Sequence, residues 1–180
     1  MPNWCSNVVV LSHKDRSMLE KVQAGLKGDG MMSAFLPVPA ELANADAPNR
    51  SDNTDALVEK YGAADWYTWC VRNWGTKWDV TSNSVQFIGD DLEFYFDSAW
   101  APPIQFYEHL QELGFLVDAK YYEPGMCFAG TYYDGIDECY EYSNMSSDEI
   151  QAELPKELDE FFCISESVAE FEEYEQEDEE

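Results

Sequence analysis

Hydrophobic positions along the chain change period several times, and each change marks an element. Residues 5–12, CSNVVVLS, form a β-branched run the length of one strand. In DRSMLEKVQAGLKGDG the apolar residues Met18, Leu19, Val22 and Leu26 recur at helical spacing. Asp15 or Ser17 suits the N-cap, and the glycines at 28 and 30 stop the helix. Residues 31–82 are less regular. FLPVPAEL reads as extended, NADAPNRSDNTD as a polar loop, and TDALVEKYGAADWYTWCVRN carries helical periodicity through Leu57, Val58, Tyr61, Trp66, Trp69 and Cys70.

The pattern tightens after residue 82. SVQFIG and LEFYFDSAW are strands joined by the hairpin signal GDD, and PPIQFYEHLQELG is a helix opened by proline and closed by Gly114. FLVDAKYYE, MCFAGTYYDG and DECYEYS follow as extended runs separated by PG and DG turns. Strand, helix, strand, strand, helix, strand is the split βαβ order of a ferredoxin-like domain. The expectation is therefore an α+β fold over residues 1–145: an antiparallel sheet, helices at about 14–27 and 102–113 on one face, a helical insertion at 31–82, and extra C-terminal strands. Residues 146–180 form an acidic extension, helical or disordered. It starts with a capping signal at Ser146 or Ser147 and has a second short helix near Pro155. From 166 to 180 it holds nine acids and no cation, a composition that resists compaction.

Charge changes the picture most. The formal net charge is −27, and it is unevenly spread: residues 1–80 hold eight cations against ten acids, whereas residues 81–180 hold two against 27. Phosphate binding relies on Lys and Arg releasing counterions, so this field disfavours nucleic acid, and anionic membranes by the same reasoning. A basic protein partner or a small ligand in a neutral pocket is compatible with it. The N-terminus lacks a basic stretch before an apolar run, and no run approaches the roughly 20 apolar residues of a membrane span, so a soluble cytoplasmic protein is expected. Five widely spaced cysteines without a C-x-x-C pair read as reduced, mostly buried thiols.

The candidate chemistry is sparse. His13 and His109 are the only histidines, and both read as surface residues rather than bases. A Cys5 and His13 pair fails on distance, since eight residues of strand span about 25 Å. The acids of GDDLE and YYDGIDE have the chemistry of hard-cation ligands but no EF-hand spacing, and turns favour Asp for backbone reasons. No nucleotide or acyl-transfer motif is present, so no catalytic, cofactor-binding or metal residues are assigned. The tyrosines at 121, 122, 132, 133, 140 and 142 lack an RNA-binding pattern and read as cross-strand packing. VRNWGTKWDV reads as a piece of fold, with Trp74 and Trp78 both expected in the core.

MPNWCSN, FLPVPAEL, NWGTKWD, FDSAWAPP and YEPGMCFAG together resemble the Api92-like family, also called YubB-like, over most of residues 1–142. The resemblance implies a ferredoxin-like domain and an origin in phages, plasmids and other mobile elements, and it implies no catalytic residue. Three function classes follow. The first is a non-enzymatic acidic interaction protein that binds a basic host or phage protein. The second is a nucleic-acid mimic that blocks a DNA-binding defence enzyme, of anti-restriction or anti-CRISPR type. The third is an enzyme of unknown reaction. For the first two, the expected partner surface is Asp134, Asp137, Glu138 and Glu141.

Overall fold

A computed structural model describes residues 3–52 and 54–178. The chain opens with strand β1 (Trp4–Ser12) and helix α1 (Arg16–Lys27). An inserted segment follows, with helices α2 (Met31–Phe35), α3 (Ala40–Ala43), α4 (Thr54–Tyr61) and α5 (Trp66–Trp74). Then come β2 (Val85–Ile88), β3 (Asp91–Ala99), α6 (Ile104–Glu112), β4 (Leu116–Glu123), β5 (Phe128–Tyr133) and β6 (Ile136–Glu141). The C-terminal part is α7 (Ser147–Glu153), α8 (Lys156–Phe162) and α9 (Ile164–Asp178).

The strands make one sheet in the order β2-β3-β1-β4-β5-β6, and every neighbouring pair is antiparallel. Alternation decides which side is dry. Val9 opposes Phe94 and Ala119, and Ala119 opposes Tyr132, so all four point to one face. On that face α1 contributes Leu19, Val22 and Leu26, and α6 contributes Phe106, Tyr107 and Leu110, to one core with Val9, Leu11, Leu92, Phe94, Val117 and Ala119. Helices α1 and α6 thus share a face, as their apolar stripes require. Of the two expected caps for α1, Asp15 is the one used: its carboxylate accepts the Ser17 N–H at 2.9 Å.

The insertion is more helical than its sequence implies, because FLPVPAEL contributes a short helical turn and the periodic stretch 54–74 divides at Gly62–Asp65 into α4 and α5. Asp65 restarts the helix by accepting the Thr68 N–H at 2.8 Å. The segment is clamped back onto the main domain by Asp79, whose two carboxylate oxygens each accept an N–H at the start of α2, from Met32 and Ser33, at 2.8 Å. Gly30, at φ 134°, must lack a side chain there, since a Cβ would fall 2.2 Å from the Asp79 carboxylate.

One expectation about the remainder is narrowed and another corrected. Of the helical and disordered alternatives for the C-terminal extension, the helix is found: the acidic run from residue 166 is helical to Asp178, with Glu166, Glu170 and Glu173 exposed, while residues 179–180 lie outside the described residues. Ser146 caps α7 in a reciprocal box with Glu149, Glu172 of α9 accepts the Ser147 N–H and hydroxyl, and Asp159 accepts the Ser165 N–H and hydroxyl at 2.7 Å. Ile150, Leu154, Leu158 and Ile164 then pack as a second core with Ala129 and Tyr142, on the sheet face opposite α1 and α6. Local hydrogen bonds to carboxylates and four apolar anchors hold the described part of this acidic segment in helices. The cysteines are likewise split: all five are free, Cys5 and Cys70 are buried, Cys127 is half-buried, and Cys139 and Cys163 are exposed.

Candidate interaction site

The four acids singled out in the sequence fall on and beside β6, the last strand of the sheet. Asp134 and Gly135 form the two-residue connection from β5, both with positive φ (46° and 83°), the backbone of a type I′ hairpin. Gln111 Nε2 donates to the Asp134 carboxylate at 3.5 Å. Within β6 the register separates the others. Asp137 opposes Tyr132 and Glu141 opposes Phe128, on the face of α1 and α6, whereas Glu138 opposes Thr131 on the face of the C-terminal helices. The four carboxylates therefore line both sides and one end of an edge strand and do not converge on a point.

Asp137 is the most elaborately positioned of them. Tyr121 lies buried across β5 at Gly130, directly opposite it in register, and its hydroxyl donates to Asp137 Oδ1 at 2.7 Å. A Cβ at Gly130 would meet the Tyr121 hydroxyl at 2.3 Å, so only glycine permits the ring to cross. Burial first, and then the bond to the Asp137 carboxylate, raise the Tyr121 pKa and keep the phenol protonated. Between Asp137 and Glu141, Cys139, exposed as a residue, has its pKa raised, chiefly by partial desolvation of its thiol. Beside this face lies an open cleft of about 420 Å³, bounded by Tyr121, Met126 and Phe128 on one side and by Pro102 and Gln105 on the other.

The acids of the C-terminal layer are of two kinds. Glu149, Asp159 and Glu172 serve helix ends, whereas Glu153, Glu157, Glu160, Glu166, Glu170 and Glu173 are exposed on helices held against the sheet. Lys156 is the one cation of this layer, bridging Glu160 at 3.4 Å.

NWGTKWD turns out to be mostly fold. Trp74 is buried and its indole N–H donates to the Leu36 carbonyl at 3.0 Å, Gly75 ends α5 in a left-handed turn, Thr76 donates to the Ala99 carbonyl at 2.8 Å, and Asp79 caps α2. Trp78 contradicts the core reading: it is 39% exposed, with its ring 6.0 Å from that of Trp4. Lys77 extends over Trp78 at 4.5 Å and toward Tyr67 at 5.7 Å. Nothing in the residue spacing distinguished the two tryptophans; the turn at Gly75 sends the second outward.

The histidines and the buried cysteines stay apart. Cys5 is pushed up to about 12 by burial, as is Cys70, so neither thiol is a nucleophile at neutral pH. His13 packs on Phe115 at 4.6 Å, and His109 is half-buried beside Glu112. Of the acids weighed as cation ligands, Asp91 accepts the Ser12 hydroxyl and Glu93 accepts Gln86 and Tyr95. Among the described residues no three His, Cys, Asp or Glu side chains group as a metal site, and no helix is long and apolar enough to cross a membrane.

No family model matches the sequence, and no curated protein matches it. Among solved structures, the fold is similar to the crystal structure of a protein api92 from Yersinia pseudotuberculosis, of the family DUF1281. The match has 11% identity and a TM-score of 0.41, and covers 79% of this chain and 99% of that one.

Proposed function

We propose that this protein is a non-enzymatic interaction module that binds a basic protein through carboxylates fixed on β6 and on helices α7–α9. The observation that supports it is the ordering of the acidic half. Residues 81–180 carry 27 acids against two cations, and the described carboxylates of α7–α9, from Asp148 to Glu173, stand on helices anchored to the sheet by their own core. A fixed array of like charge is self-repelling, and it offers a cationic surface many pairings without the cost of ordering a flexible tail. Within the same reading, the domain is a ferredoxin-like one of Api92-like type, a view supported by β3 lying between β1 and β2 and by α1 and α6 sharing a face. The partner is then a basic protein of the host or of the mobile element that carries the gene.

The test is affinity capture from a host lysate, with washes at low and high salt and with or without duplex DNA. One basic protein retained at low salt and released by salt is the expected result. Release by DNA as well identifies the captured surface as a DNA-binding groove and the protein as a nucleic-acid mimic. Retention only of partners without a basic surface refutes the proposal.

A further inference from the structure

The geometry of the sheet edge points to the manner of binding: we propose that β6 accepts an extended, lysine- or arginine-bearing segment of the partner as an additional antiparallel or parallel strand. This rests on the acidic interaction reading and adds to it a place and a backbone conformation.

A terminal strand leaves half of its backbone N–H and C=O groups without a ladder partner, and such an edge is a template for another chain. β6 is terminal in the sheet, and among the described backbone hydrogen bonds residues 136–141 join no segment other than β5. Five of its six residues are exposed and the sixth, Tyr140, is half-buried; none is proline or lysine. The opposite edge, β2, is shorter, four residues, and carries no charge. The two edges therefore differ in what they admit. Acids in three of six positions repel a second β6, since like charges directly opposite destabilise a pair, and attract a strand with cations at those positions. Asp137 and Glu141 meet cations on one face and Glu138 on the other, so the division of the acids between faces, which suits no single-faced mimic, suits an added strand. On the Asp137 face, the 420 Å³ cleft walled by Met126 and Phe128 leaves room for the added side chains. In this mode main-chain hydrogen bonds supply affinity and alternate side chains supply specificity.

The probe is an acetylated, amidated decapeptide of repeating Lys-Lys-Thr-Thr, which carries cations on both faces of a strand, compared with the same sequence N-methylated throughout, which keeps every charge and cannot donate a backbone hydrogen bond. Expected are binding of the first peptide, at least tenfold weaker binding of the second, slowed amide exchange in residues 136–141 with residues 85–88 unchanged, and at least a tenfold loss with Asp137→Lys, Glu138→Lys and Glu141→Lys combined. Equal affinity for both peptides without protection of β6 overturns strand addition and leaves the acidic-surface reading standing. Failure to bind either peptide overturns strand addition too, and leaves the acids of β6 as guards against edge-to-edge pairing. The interaction reading itself fails separately, when capture yields no basic partner.

Discussion

Trp74 and Trp78 stand four residues apart in one motif and do different work. Trp74 fills the core and satisfies its indole N–H on the Leu36 carbonyl, whereas Trp78 lies against Trp4 at the surface. Trp74→Ala is expected to cost about 3–5 kcal/mol, the range for a large core aromatic, and Trp78→Ala under about 1 kcal/mol, as for surface substitutions. Urea unfolding of the two variants measures both; equal losses would return Trp78 to the core. Asp65 makes a pH-dependent contribution. Burial alone would raise its pKa, but N–H donors from Thr68 and Asn49 outweigh that and hold it below the ordinary carboxylate value. A carboxyl with a depressed folded pKa adds stability above its unfolded value of about 3.9, and that stability is lost as pH falls through the folded value. Asp65→Asn should therefore be less stable than the parent at pH 7, and the gap should narrow as pH falls below about 3.9. A constant gap in denaturant midpoints across that range would contradict the assignment.

The elements were legible in the sequence to different degrees, for physical reasons. β1, β3, β4, α1 and α6 announce themselves because alternation and 3.6-residue periodicity follow from burying one face, and the Asp-Gly turn fixes the last hairpin. The insertion was harder. Its short helices are held by tertiary contacts such as Asp79 on α2, which no local period records. The C-terminal layer was harder still, since Ile150, Leu154, Leu158 and Ile164 are few among many acids and their partners Ala129 and Tyr142 lie on other elements. Of the candidate site, the acids of β6 were visible as residues. Their separation onto two faces needed the strand register, and the Tyr121–Gly130–Asp137 crossing needed the sheet itself. The layer makes its own prediction: Ile150→Ala or Leu158→Ala should each cost about 2–5 kcal/mol, read by denaturant unfolding. Loss of the α7–α9 signal in a separate, earlier transition would show the second core folding apart from the first.

At the scale of the molecule, one half carries nearly all of the uncompensated charge, and much of that charge is attached to ordered backbone. A solubilising role asks only for net charge and is indifferent to where the carboxylates stand. A binding role depends on their positions, so the two differ in how affinity answers to salt and to substitution at fixed sites. The deciding measurement is the dissociation constant of the captured partner as a function of salt, for the parent and for the variant with Lys at Asp134, Asp137, Glu138 and Glu141. The account predicts affinity falling steeply as salt rises above about 0.1 M, where screening shortens to about 10 Å, and at least a tenfold loss with a flatter salt dependence in the variant. An affinity that ignores salt and survives the four reversals would contradict it.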